Sequence, residues 1–435
     1  MPFSTSISGI NAASSLLNVT SNNIANAETY GFKGARPEFV DVYARSQITG
    51  DQRMVGSGTR LSRVSQNFNQ GTLETTTNVT DLAINGQGFF TIRDSGGNLL
   101  YTRAGAFTPD DEGYVVNAQG QNLQVYPPAG DGQFDTGQMV DLQISTQDQA
   151  PSATQNAALG VNLAADAERP AARRFDPENP NSYNYTTSMT VYDSQGIGHN
   201  ATVYFEKAGR NRWQAHVYVD DDRSRPYTTT LRFDQDGNLR APGGALGQGQ
   251  FGQSTTQAGG ALGQGQSNQA PRQSLVDVSY RPGGGGAGRE QFTLDLSRVT
   301  QYDSNYGTNY VFQDGYTSGV YQGLEVSREG VVNAVYSNGE RAPLGQVVLA
   351  DFVNPQGLTP IGDTNWSQSI NSGEPLYGQP GNGRFGQVAS YSLESANVDL
   401  AYELTRLIIA QRDYSANTQA LAAENNNIQT LLNIR

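Results

Sequence analysis

The two ends of the chain carry a hydrophobic spacing that the middle lacks. Phe3, Ile7, Ile10, Ser14, Leu17, Ser21 and Ile24 recur at intervals of 4-3-4-3-4-3, and five of these seven are apolar. Leu400, Leu404, Leu407, Gln411, Tyr414, Thr418, Leu421, Asn425, Ile428 and Leu432 continue the same intervals, with seven of ten apolar. A 3.5-residue period predicts two helices packed along a shallow left-handed supercoil, a coiled-coil-like pair formed by the N- and C-terminal segments. Asn397 and Asp399 read as a cap and a first-turn acid for the second helix. Gly31 followed by Phe32 reads as the glycine stop of the first.

Between the ends the period falls to that of β-structure. From Asp81 to Tyr126 short apolar runs (82–84, 89–92, 99–101, 114–116, 123–126) alternate with Asn-Gly, Ser-Gly-Gly and Glu-Gly turns, the pattern of a hairpin meander. Residues 185–239 and 311–352 repeat it. Residues 241–288 shift to glycine and glutamine, with "GGALGQGQ" at 243–250 and again at 259–266. Such a segment builds no core and is expected to form an exposed surface insertion.

The helical seam leaves two readings open. A terminal hairpin could close a single monomeric domain. Yet Ser14, Ser21, Gln411, Thr418 and Asn425 dilute the seam, and the other faces are Ala, Asn, Gln and Ser rather than Lys and Glu. Asparagine and serine are poor helix-interior residues, so an isolated pair of this kind is weak. Small uncharged surfaces suit helices packed against many copies of themselves.

Composition narrows the function. At 435 residues the chain has room for two or three domains. A net charge of −13 disfavours nucleic acid and anionic membrane as partners, and no run is long and apolar enough to span a bilayer. Cysteine is absent, which removes disulfides, thiolate chemistry and cysteine metal sites. The N-terminal segment lacks the basic and apolar regions of a secretory signal.

Catalytic and metal motifs are missing too. The two histidines, His199 and His216, read as surface or half-buried side chains rather than a metal pair. "GQGQFG" at 247–252 fits a phosphate-loop pattern by letters alone, without a strand before it or a helix after it. "DQDGN" at 234–238 lacks the remaining ligands of a calcium loop and reads as a hairpin turn. Asp220, Asp221 and Asp222 read as a solvated charge run. The chain is therefore expected to be non-enzymatic, with no cofactor and no metal. A carbohydrate-acting enzyme would need a convergent carboxylate pair, which nothing here singles out.

The terminal motifs carry a resemblance. "SGINAASSLLNVTSNNIANAETYGFKGARPEF" and "LESANVDLAYELTRLIIAQRDYSANTQALAAENNNIQTLLNIR" resemble the N- and C-terminal motifs of the bacterial flagellar rod and hook proteins. "VGSGTRLSRVSQNFNQGTLETTTNVTDLAINGQGFF" and "YTRAGAFTPDDEGYVV" are similar to that family as well, and the four cover about half of the chain in the family's order. Ala396 stands where a serine is common before Asn-Val-Asp. The size of the middle resembles the hook branch rather than the shorter distal rod proteins.

The resemblance implies a mainly β chain with terminal α-helices and nested β-domains. Residues 1–33 and 397–435 would form the helical domain of an inner tube, and 34–73 with 364–396 the connecting arms. Residues 74–148 and 299–363 would form an inner β-domain, from which 149–298, with its loop 241–288, projects as an inserted outer β-domain. It also implies a homopolymeric tube acting as a universal joint between motor and filament. Its partners would be further copies of itself, the rod, the hook cap, the hook–filament junction proteins and the flagellar type III export apparatus. The location would be extracellular, reached without a cleaved signal peptide. On this reading Ile7, Ile10, Leu17, Ile24, Leu400, Leu404, Leu407, Tyr414, Leu421, Ile428 and Leu432 line the assembly interface. Asn22, Asn23 and Asn26 would hydrogen-bond neighbouring subunits, and Gly31 would mark the hinge into the connecting arm. A distal rod protein and a surface fibre or adhesin are the alternatives.

Overall fold

The computed structural model describes residues 2–42, 56–130, 132–172, 174–220, 226–240, 274–281 and 288–433; the side chains of residues 2, 3, 431 and 432 lie outside that description. Two long helices, α1 (Pro2–Ala25) and α2 (Leu400–Asn433), bracket a body that is mainly β-strand. The chain divides into two compact units. The first is made of residues 1–146, 322–335 and 341–435, the second of 147–321 and 336–340.

In the first unit the predicted meander forms strands Leu82–Asn85, Phe89–Arg93, Leu99–Thr102 and Asn122–Tyr126. Phe89–Arg93 lies between Leu99–Thr102 and Asn122–Tyr126, all antiparallel, and Arg341–Val347 extends the sheet beyond Asn122–Tyr126. On the other side Asn365–Ser367 pairs with Leu99–Thr102. The core there is aromatic. Phe89 meets Phe68, Phe352 and Trp366 edge-on at centroid distances of 5.7, 6.1 and 5.7 Å. Such edge-to-face contacts add to the stabilisation from burying the rings.

The second unit is a sandwich of two four-stranded sheets. One runs in the order Leu275–Tyr280, Glu290–Asp295, Asn156–Asn162, Gly307–Gln313; the other is Tyr185–Tyr192, Gly198–Gly209, Arg212–Val219, Tyr227–Arg232. Alternation decides the inner face. Ala201, Val203 and Phe205 point inward with Trp213, Ala215 and Val217, and they meet Leu159, Val161, Val278 and Leu294 in one buried cluster.

Strand pairing draws three boundaries differently from the sequence. Gly307–Gln313 pairs with Asn156–Asn162 and so belongs to the second unit. Asn365–Ser367 and Leu376–Gly378, placed in a connecting arm on sequence, are sheet strands of the first unit. Leu275–Tyr280, placed in the low-complexity loop, is a core strand in which Val276, Val278 and Tyr280 are buried. Its alternation is short and is followed at once by the glycine run of 283–286. The remainder of 241–288, apart from Ser274, Arg281 and Gly288, lies outside the described residues, as does "GQGQFG".

Candidate assembly surface and its anchor

The terminal helices pack as an antiparallel pair. Ser6 Oγ lies 3.5 Å from Glu424 Oε1, and Asn23 Nδ2 lies 3.2 Å from Glu403 Oε1, so rising positions on α1 meet falling ones on α2. The buried positions are Ser6, Ala13, Thr20 and Asn23 on α1, with Glu403 and Ala410 on α2. Gly9 shares this seam: a Cβ there would stand 2.4 Å from Asn417 Oδ1. The helices thus meet on small and polar residues, which let their backbones approach closely.

This corrects the predicted seam by one residue. Ile7, Leu400, Leu404, Tyr414 and Ile428 are exposed, each at 40–47 %. Ile10, Leu17, Ile24, Leu407 and Leu421 are half-buried, and the Leu432 side chain lies outside the described residues. Tyr402, Ile408 and Ile409, which the heptad count passed over, are exposed as well. The apolar stripe is real, but it flanks the contact between α1 and α2 instead of filling it. A fully buried Leu or Ile gains about 1.5–3 kcal/mol over an exposed one, so this pair leaves much of its hydrophobic stabilisation unused.

Local bonding keeps the polar positions of the helices quiet. Ser15, Thr405, Ser415, Thr418 and Thr430 hydroxyls each donate to the carbonyl four residues earlier. Asp399 caps α2, its Oδ1 accepting from the N–H groups of Ala401 and Tyr402 at 2.9 and 3.1 Å. Asn397, predicted as the cap, instead ties the arms: its Oδ1 accepts from Gly34 N, and its Nδ2 donates to the carbonyls of Asn67 and Asn69.

The asparagines at the end of the helix also act within the chain. Asn23 is buried and brackets Ala35, donating to its carbonyl at 2.8 Å and accepting from its N–H at 2.9 Å. Asn26 donates to the Asn22 carbonyl and accepts from the Thr29 hydroxyl. α1 ends at Ala25, and a series of turns carries the chain to Gly31. Gly31 is therefore an anchor rather than the helix stop. Its φ is +72°, its N–H donates to the Glu394 carbonyl at 2.7 Å, and a Cβ would lie 2.3 Å from Ala104 N.

At that anchor sits a buried ionic triad that the sequence did not announce. Lys33, Arg103 and Glu394 are 1 %, 4 % and 0 % exposed. Glu394 Oε1 accepts from Lys33 Nζ at 2.6 Å and from Gly71 N at 2.8 Å, while Oε2 accepts from Arg103 Nη1 at 3.0 Å. Lys33 also donates to the Asn69 carbonyl, and Arg103 to that of Gly86. Burial lowers the Lys33 pKa from its ordinary value, opposed by the attraction and hydrogen bond of Glu394. One carboxylate thus joins the stretch after α1, the 69–71 turn, the meander and the strand before α2.

The histidines are buried, not superficial. His199 bridges Asp220 (Nδ1–Oδ2 2.6 Å) and Asp193 (Nε2–Oδ2 3.3 Å), so Asp220 is a structural partner. Asp221 and Asp222 lie outside the described residues. His216 contacts Thr228 and Glu206 and stacks on Phe175 at 4.0 Å. No group of three or more metal-ligating side chains occurs among the described residues. Nor, among them, is any helix long and apolar enough to cross a membrane.

Known families match along the chain in order. Residues 3–33 match "Flagella basal body rod protein", 83–159 "Flagellar hook protein FlgE/F/G D1 domain", 162–316 "Flagellar basal body protein FlaE D2 domain" and 389–434 "Flagellar basal body rod FlgEFG protein C-terminal". The class is that of the flagellar rod and hook proteins. Flagellar hook proteins FlgE of Escherichia coli and Salmonella typhimurium are 34 % and 33 % identical over all of this chain and all of their own length. That of Borreliella burgdorferi is 30 % identical over 99 % of this chain and 98 % of its own. This chain belongs to the flagellar hook protein family. The crystal structure of Helicobacter pylori flagellar hook protein FlgE2 shares the fold, with a TM-score of 0.53 at 13 % identity over 74 % of this chain and 100 % of that one. End-to-end likeness to hook proteins does not favour the distal-rod or adhesin alternatives.

Proposed function

We propose that this chain is the structural subunit of a bacterial flagellar hook, without catalytic activity, and that it polymerises into a curved, flexible tube. The observation that supports the reading best is the apolar stripe turned away from the chain's own helix partner. Ile7, Leu400, Leu404, Tyr414 and Ile428 gain cover only when other molecules pack against the helix pair. Copies of the same chain supply equivalent stripes, and many such contacts build an inner tube of helices. Lateral packing then offsets the ordering cost of about 1–2 kcal/mol per residue. The β-units, rich in polar and glycine residues, form the outer wall. Few locked apolar contacts there let neighbours slide as the tube bends, so torque passes from rod to filament through a universal joint.

On this reading the subunit reaches the cell exterior unfolded through the type III export apparatus and joins the rod, the hook cap and the hook–filament junction proteins. Zero cysteine suits that passage, since no cross-link holds the chain closed. Electron microscopy of basal bodies from a strain lacking this gene tests the function. Basal bodies without hooks, restored by the gene, are expected; hooks of normal length in the deletion strain would overturn it.

A further inference from the structure

The second unit carries a patch whose charge is opposite to that of the chain. Arg169, Arg210, Arg212, Arg232 and Arg240 are all exposed and line one cleft of about 510 Å³. Asp234 is the one carboxylate lining it among the described residues, and its Oδ1 already accepts from the N–H groups of Asp236 and Asn238, both at 2.9 Å. Among the described residues none of the five arginines has an ion-pair partner. Arg212 meets a neutral group, the Ala208 carbonyl at 3.4 Å. Residues 241–273, which follow Arg240, contain no aspartate or glutamate to neutralise the cluster.

The placement of these charges is unfavourable for the fold by itself. Arg212 and Arg232 stand directly opposite each other in the antiparallel register of their strands, where like charges repel. The Arg169 and Arg212 guanidinium groups converge over Gly209: a Cβ there would be 3.1 Å from Arg169 Nη2 and 3.7 Å from Arg212 Nη2. The glycine leaves that space open. In a chain of net charge −13, five guanidinium groups without an ion-pair partner among the described residues concentrate positive potential around one cleft.

We propose that this cleft is an anion site that binds a multivalent phosphate-type oxyanion. Planar guanidinium forks match tetrahedral oxyanions through paired N–H donors, and a bound anion cancels the repulsion between Arg212 and Arg232. Isothermal titration of the full chain with tripolyphosphate at low salt tests it. Saturable binding that weakens with added salt is expected, with roughly a tenfold or greater loss in Arg212→Gln and in Arg169→Gln. Both ligand-free variants should melt no lower than the parent, which separates lost binding from lost fold. Arginine-dependent sedimentation with phosphatidylglycerol vesicles would assign the source to a lipid headgroup, and its absence to a soluble phosphate. No heat with tripolyphosphate, or binding unchanged in both variants, would overturn the site. So would variants that lose self-association while the parent fails to bind tripolyphosphate, an outcome that gives the patch to an acidic face of a second copy.

Discussion

Lys33 Nζ and Glu394 Oε1 lie 2.6 Å apart although 361 residues separate them, and both side chains are shut off from solvent. The bond fastens the stretch that follows α1 to the stretch that precedes α2, so both terminal helices are tied to the first β-unit at one point. Arg103 shares the same carboxylate. Glu394→Gln therefore leaves two buried cations without their counter-charge, whereas Lys33→Met leaves the Arg103–Glu394 pair intact. Breaking a buried pair from one side costs about 3–5 kcal/mol, and Glu394→Gln is expected to fall in that range with Lys33→Met well below it. Trp366 lies in the first unit and Trp213, the only other tryptophan, in the second. Urea unfolding followed by Trp366 fluorescence in a Trp213→Phe background reads the first unit alone, and equal losses in the two variants would refute the shared-carboxylate account.

Gly31→Ala meets two penalties at once. A left-handed conformation costs an L-residue about 1–2 kcal/mol, and the new methyl carbon would overlap the backbone at Ala104, which has no flexible end to move aside. The variant should unfasten the segment after α1 while the second unit stays folded. Hydrogen exchange checks this: protection should fall across residues 23–35 and remain unchanged across 198–219. A variant with parental protection in both would show that the anchor tolerates a side chain.

These two positions mark what the sequence can and cannot disclose. The helices and the meander were legible because their signals are local, a heptad spacing at the ends and alternating runs closed by glycine turns in between. The register of the helix pair was not. Counting apolar residues selects the stripe with Ile7 and Leu404, but closeness of approach is set by the smallest residues, and the contact fell on Ala13 and Ala410, one position before Ser14 and Gln411 of the counted seam. The triad was invisible for a different reason. Lys33, Arg103 and Glu394 become neighbours only after the strands between them have paired, and no spacing rule links residues so far apart. The boundaries of the two units likewise follow from long-range pairing, as for Gly307–Gln313.

The two histidines of the second unit should pull its stability in opposite directions with pH. For His199 burial lowers the pKa, but hydrogen bonds to Asp220 and Asp193 outweigh it and the net shift is upward from 6.5. Its contribution is fully present below 6.5 and is lost as pH rises through the folded-state value. For His216 burial dominates over the bond to Glu206, and the shift is downward from 6.5. Its contribution is present above 6.5 and is lost as pH falls through the folded-state value. Unfolding midpoints read from Trp213 fluorescence between about pH 5 and 8 should show His199→Gln flattening the alkaline side and His216→Gln the acid side. Identical pH profiles for the two variants would contradict the assignment.

The outward stripe and the inward seam of the helix pair can be separated by mutation. Leu404 stands 45 % exposed, so Leu404→Asp disturbs little of the packing within the chain; surface changes of this kind usually alter stability by less than about 0.5 kcal/mol. Ala410 is fully buried against α1, and Ala410→Leu adds bulk where the helices touch, at a cost of about 1–3 kcal/mol. If the stripe is the surface that other copies cover, Leu404→Asp leaves the monomer's unfolding midpoint unchanged yet abolishes tube formation. Covered by aliphatic side chains of a neighbouring copy, the same aspartate would be desolvated at a cost that the leucine does not carry. Ala410→Leu should instead weaken the helix pair in the free chain first, seen as lost helical circular dichroism, and impair assembly in proportion. Negative-stain microscopy of each purified variant under polymerising conditions distinguishes the two. Normal tubes from Leu404→Asp would place the contact between subunits on another face of the helices and leave the exposed stripe unexplained.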